Sequence, residues 1–250
     1  MQKALSFTMV VELMVTAKKL FPATAVIIFL FFFLANSARA NWDPNHTNWQ
    51  YRFKYTISNG DVNEALTDFP LHIDLTNNTP ASFWTHVKSD GSDIRVVDKD
   101  GTTNLSTQAH LENWDHSSKK GHIWVKRTIQ PMGTEEYVWI YYGNPGASSV
   151  FSDSTKQSTY ESNFLAVWHL DETGGDLLGN DVFDATANNK DGEIINTVSA
   201  TGLVGNSMQF DSTGDAITSS DIFGNIGTGN FTISIWVKET SIAGTSMPIL

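Results

Sequence analysis

From Tyr51 onward the chain alternates apolar and polar residues with a period of two, and that pattern restricts it to β-structure. Tyr51, Phe53, Tyr55 and Ile57 fall on one face and Arg52, Lys54 and Thr56 on the other, as in a half-buried strand. Phe69, Leu71, Ile73 and Leu75 repeat the pattern against His72 and Asp74. The turn signal Ser58-Asn59-Gly60-Asp61 separates the two runs, since Asn and Gly both tolerate positive φ. Further strands are predicted at Asp93 to Val97, Ala109 to Trp114, Gly121 to Ile129 and Glu135 to Tyr142. The last is apolar on both faces, which predicts a central strand in a sheet covered on both sides. No segment after Ala40 carries a helical period, so the fold class is all-β, a β-sandwich.

Between Gly143 and Asn163 the sequence turns small and polar, the mark of a linker or domain edge. A second β unit begins at Phe164, and its clearest predicted strand is Phe231 to Lys238, where Phe231, Ile233, Ile235 and Val237 alternate with Thr232, Ser234 and Trp236. The resulting division is a first domain at 41–148, a linker at 149–163 and a second unit at 164–250. So few short strands fall short of a closed two-sheet fold, and the second unit reads as a truncated domain.

Ahead of the β-region, Lys18 to Ala40 has the order of an export signal. Lys18 and Lys19 precede an apolar run from Leu20 to Leu34, and Ala38-Arg39-Ala40 supplies a small-x-small cleavage pattern. The run is near the upper limit for a signal core and short of the ~20 residues a helix needs to cross a bilayer, and the cleavage-type ending favours a removed signal over an uncleaved anchor. Asn41 is then the first residue of the exported, periplasmic or extracellular protein, and Met14 is an alternative start. The formal charge of the whole chain is −11. Removing Lys3, Lys18, Lys19, Arg39 and Glu12 takes it to −14, with 12 basic side chains left against 26 acidic ones. Nucleic acid is thereby disfavoured as a partner, because phosphate binding needs clustered Lys and Arg. An acidic surface suits hard cations such as calcium instead. With no cysteine, neither disulfides nor thiolate metal sites are open to it, and stability must come from burial.

Several motifs in order carry a family resemblance. Trp49-Gln50-Tyr51-Arg52, Asp68-Phe69-Pro70-Leu71, Phe83-Trp84-Thr85-His86-Val87, Asp90-Gly91-Ser92-Asp93-Ile94-Arg95-Val96, Trp124-Val125-Lys126 and Tyr141-Tyr142-Gly143-Asn144 resemble the bacterial family called domain of unknown function twenty-three forty-one, from about Asn41 to Ser148. The second unit resembles the first half of a laminin-G-like, concanavalin-A-like jelly roll. The residues concerned are Ala166-Val167-Trp168-His169-Leu170-Asp171-Glu172, Asp184 to Gly192, Gly205 to Asp211 and Phe231 to Lys238. The resemblance implies a missing half after Leu250, followed in some relatives by a membrane channel of the MotA/TolQ/ExbB type.

Candidate sites are few. Asp171 and Glu172 are adjacent, whereas a retaining glycosidase needs carboxyl groups ~5 Å apart on one side of a cleft, and adjacent strand residues point to opposite faces. No catalytic residue is assigned. Asp184, Asn188 and Asp191 lie in an oxygen-rich loop of the kind calcium prefers, although Asn and Asp are also ordinary turn residues. Asp98-Lys99-Asp100-Gly101 reads as a hairpin turn. Histidines 72, 86, 110, 116, 122 and 169 show no short two-His spacing and read as isolated polar-face residues. Trp84 and Trp114 are flanked by polar residues and could present a ring to a sugar, or else pack in the core. The sequence therefore points to an exported, non-enzymatic protein for adhesion or glycan recognition, with carbohydrate or another surface protein as partner. A structural ectodomain of a MotA/TolQ/ExbB-type complex and a glycoside hydrolase accessory module are the alternatives, and membrane attachment would come only through an uncleaved signal or a missing C-terminal region.

Overall fold

The computed structural model describes residues 42–172, 182–211, 214–219 and 229–238. The segment Lys18 to Ala40, and with it the export reading, lies outside the described residues. The strands are β1 (Tyr51–Ile57), β2 (Leu66–Asp74), β3 (Arg95–Asp98), β4 (Ala109–Asp115), β5 (Lys120–Ile129) and β6 (Glu136–Tyr142). They form two antiparallel sheets, ordered β1-β6-β3 and β2-β5-β4. Asn59-Gly60 does turn the chain, with Val62 N donating to Asn59 O at 3.1 Å, but the strands it joins lie in different sheets.

The sandwich follows from the alternation. Ile57, Val138, Ile140, Tyr142 and Val96 of the first sheet meet Leu71, Ile73, Ile123, Val125, Ile129 and Ala109 of the second in one core. As the doubly apolar pattern predicts, β6 is the central strand of its sheet. Its other face is covered as well, because Tyr141 packs with Trp49, Val97 and Ala147, and Trp42 and Trp139 close over them. The Asp98 to Gly101 turn is also as read, with Gly101 N donating to Asp98 O at 2.9 Å. Among the described residues two short α-helices interrupt the β-structure, α1 (Phe83–His86) and α2 (Asp153–Gln157). α2 opens with a capping box between Ser152 and Thr155, inside the stretch read as a linker.

In the second unit β7 (Glu193–Ile195) pairs with β10 (Ala216–Thr218), and β8 (Val198–Thr201) with β9 (Asn206–Gln209). A small core of Val182, Ile194 and Met208 sits between them, with Trp168 and Ile217 against it. The predicted strand Phe231 to Lys238 is not formed: these residues join no ladder and are exposed, Trp236 by 90%. Alternation supplies only a face, whereas a strand exists only where a neighbouring backbone completes the hydrogen bonds, and the described residues offer none. Among the described residues no helix is long and apolar enough to cross a membrane.

Candidate functional site

The outer face of the β2-β5-β4 sheet is polar for the same reason that its inner face is apolar. Ile73, Ile123, Val125 and Ala109 point inward, so their neighbours point outward in cross-strand rows. One row is Asp74, His122 and Glu112, and the next is His72, Trp124 and His110. His72 Nε2 lies 3.1 Å from His122 Nδ1. Burial, and then the neighbouring His122, hold the His72 imidazole below its ordinary pKa. At the end of β4 the register slips between Glu112 and Asp115, where Asn113 takes a positive φ of 48°. Asn tolerates that conformation, and the bulge ends the ladder beside Glu112.

The chain beyond the sandwich returns to this face. Helix α2 leads into Thr159 and Tyr160, both buried, and then to His169. His169 Nδ1 approaches Glu112 Oε2 at 3.2 Å, and Tyr160 Oη lies 2.9 Å from His169 Nε2. The Trp124 indole N–H donates to the same Glu112 oxygen. Thr159 Oγ1 donates to Thr155 O at 3.0 Å and lies 3.3 Å from His110 Nδ1. Having spent its one proton, the Thr159 hydroxyl can only accept from His110, so His110 carries its hydrogen on Nδ1. His110 Nε2 is left buried with no hydrogen-bond partner. One ligand atom from each of His110, Glu112 and His169 falls within 4.8 Å of the other two.

Burial, reinforced by His169 and Lys156, pushes the His110 imidazole down to about 2, so it is neutral. Burial alone would raise Glu112, but the hydrogen bond and charge of His169 and the Trp124 N–H outweigh it and hold the carboxyl below its ordinary range. Burial and the Glu112 charge both raise the Tyr160 phenol, which stays protonated. The group opens onto a cleft of about 250 Å³ lined by Leu111, Asn113, Phe151, Asp153, Lys156 and Asp171 besides His110, Glu112 and His169.

The tryptophans and the oxygen-rich loop singled out in the sequence lie elsewhere. Trp84 is buried, and its ring stacks on Trp114 with centroids 4.9 Å apart. Trp114 is half-buried over Gly91 and Gly121, where any Cβ would approach its indole to 3.0 and 2.6 Å respectively. Two faces that meet each other and bare backbone are spent on packing. Asp184 is buried too, and its carboxylate accepts from Val167 N, Thr186 N, Thr186 Oγ1 and Lys190 N at 2.7–2.9 Å. Its lone pairs are thus committed to closing the loop. Asp191 Oδ1 accepts from Asp184 N, and Asn188 Nδ2 donates to Phe164 O and Leu165 O, so all three residues are engaged in hydrogen bonds that shape the loop. Asp171 faces the cleft while Glu172 Oε1 turns to Phe183 N, in keeping with adjacent residues on opposite sides. Burial raises the Glu172 carboxyl.

Four of the histidines read as isolated, His72, His110, His122 and His169, are in fact grouped, whereas His86 lies against Tyr51 and His116 beside Trp84 and Trp114. The available signal was His110-x-Glu112 on a predicted strand, which places both on one face, repeated by His72-x-Asp74 and His122-x-Trp124. Nothing in the sequence marks His169 as their neighbour. Among known proteins, residues 90–175 match the model of a family described as Domain of unknown function (DUF2341), a span that starts and ends later than the resemblance by motif. No curated protein and no solved structure matches the chain. His110, Glu112, Trp124, Thr159, Tyr160 and His169 all fall inside the matched span, and the chain carries a domain of the DUF2341 family that encloses the whole cluster.

Proposed function

We propose that this is an exported recognition module that holds a polar small ligand of the carbohydrate kind in the cleft beside β4. The observation that carries the reading is the lining. Glu112, Asp153 and Asp171 accept, Lys156 donates, Asn113 does both, and Leu111 and Phe151 supply apolar surface. Such a mixture suits a ligand with hydroxyls around a carbon ring, because a few placed polar groups on an apolar floor fix its orientation. The jelly-roll resemblance of the second unit and the acidic charge agree with this reading, and the order of residues from Lys18 to Ala40 supports export.

A glycan array followed by calorimetry on the purified chain is the test. Lys156→Ala and Asp171→Ala should each weaken binding ~10-fold or more, since each removes a charge-assisted hydrogen bond worth ~1.5–3 kcal/mol. An array without hits would transfer the proposal to a protein partner, as in a channel-associated ectodomain. The native protein should begin at Asn41 by mass spectrometry, and an intact segment from Phe31 to Leu34 would make it an anchor instead.

A further inference from the structure

We infer that His110, Glu112 and His169 form a binding site for a divalent transition-metal ion of the zinc kind, which fastens the chain after α2 to the polar face of the sandwich. The inference shares Glu112 with the sugar reading but does not rest on it, since it concerns the back wall of the cleft and requires no ligand in it.

The donor set comes first. Two imidazole nitrogens and one carboxylate oxygen within 4.8 Å are ligands of the type zinc and its neighbours take, whereas calcium seeks oxygen alone. The spacing between two of them already fits. Tetrahedral bonds of ~2.0–2.1 Å place ligand atoms about 3.3 Å apart, and His169 Nδ1 lies 3.2 Å from Glu112 Oε2. His110, within 4.8 Å of both, completes the set by an approach of up to ~1.5 Å.

Each ligand is also held from behind. Thr159 fixes the His110 tautomer with the lone pair on Nε2, Tyr160 Oη receives the His169 Nε2–H when Nδ1 binds metal, and Trp124 steers the Glu112 carboxylate. An outer partner on the far nitrogen of each histidine is the usual support of a metal site. An ordinary ion pair between His169 and Glu112 would account for those two residues but not for His110. Its Nε2 is a buried acceptor with no partner, in a residue only 5% exposed, and an ion satisfies it. The cleft then borders the fourth coordination position, which is open to water or to a ligand group.

The test is to strip the full chain with a chelator, then titrate Zn²⁺ by calorimetry and Co²⁺ by visible absorption. One ion per chain and the intense ligand-field bands of a tetrahedral or five-coordinate Co²⁺ centre are expected. His110→Ala and His169→Ala should each weaken binding more than 10-fold, and Tyr160→Phe, a positioning change, by ~10-fold. Asp184→Asn should leave metal affinity unchanged. Near-UV circular dichroism of the tryptophans establishes that each variant is folded, and Co²⁺ bands in the unaltered chain need no variant at all. Absence of those bands, or Zn²⁺ affinity unaltered in the folded His110→Ala/His169→Ala double variant, overturns the site. Sugar titrations run with and without Zn²⁺ separate the two proposals, because loss of sugar binding alone leaves the metal result intact.

Discussion

Arg127 and Glu136 show what a single charged pair does inside this core. Both occupy inward-pointing positions, Arg127 in line with Ile123, Val125 and Ile129 on β5 and Glu136 with Val138 and Ile140 on β6, so they meet across the two sheets with side chains 3% and 0% exposed. Arg127 Nη2 lies 2.8 Å from Glu136 Oε2 and 2.9 Å from Asp98 Oδ1, and Lys99 Nζ reaches the other Glu136 oxygen. Glu136 Oε2 has no hydrogen bond of good geometry despite that close approach, so the attraction is ionic. Removing Arg127 leaves the buried Glu136 carboxylate with Lys99 as its remaining cation, and Arg127→Met should cost up to ~3–5 kcal/mol in urea denaturation. Adding Glu136→Leu should recover most of it, since an apolar pair of similar volume avoids the desolvation of both ions. Equal stability of the single and double variants would show that Glu136 is solvated. The pair was not legible beforehand, because a strand pattern with Arg or Glu at an inward position reads as an interruption until the facing strand is known. The same holds for His169, whereas His110 and Glu112 were legible as same-face neighbours once the polar side of β4 was read as closely as the apolar side.

Strand ends in this protein are tied by carboxylates that accept backbone N–H groups two and three residues on. Asp74 accepts from Thr76 and Asn77, Asp100 from Thr102 and Thr103, and Asp115 from Ser117 and Ser118. For Asp74 and Asp100 burial works upward, yet these bonds and those from the Asn77 and Thr103 side chains outweigh it and hold both carboxyls below the ordinary range. For Asp115 the bonds from Ser117 and Ser118 lead directly to a lowered value. A depressed folded pKa means stability that is fully present above the unfolded value, ~3.9, and lost as pH falls through the folded one. The urea midpoint should therefore drop between pH ~4 and ~2, and drop less in an Asp74→Asn/Asp100→Asn/Asp115→Asn variant. Identical acid dependence in the two proteins would remove these turns as its source. At this scale the sequence was most readable, since Asx turns and alternation are local. Phe231 to Lys238 marks the limit: alternation as regular as that of β1 yields no strand where the described residues supply no partner.

Over the whole molecule, the stretch read as a linker is a lid on the sandwich. Phe151 packs against the main core, α2 starts beside it, and Thr159 and Tyr160 are buried against His110, with their ring centroids, those of His110 and Tyr160, 6.0 Å apart. Composition alone could not reveal this, because small polar residues suit a surface helix and its caps as well as they suit a tether. A protein cut at Ser148 would lose Phe151 and Tyr160 from their contacts and leave Trp124, Glu112 and His110 facing water. Burying two such rings stabilises by ~2–3 kcal/mol, which for a unit of this size corresponds to a melting temperature on the order of 10 °C lower. Residues 41–172 should accordingly melt higher than residues 41–148 by that margin in metal-free buffer, and limited proteolysis should spare the peptide bonds around Thr159 and Tyr160. Matching melting temperatures, or early cleavage at Tyr160, would return the segment to the role of a free linker and place the end of the cooperative unit at β6.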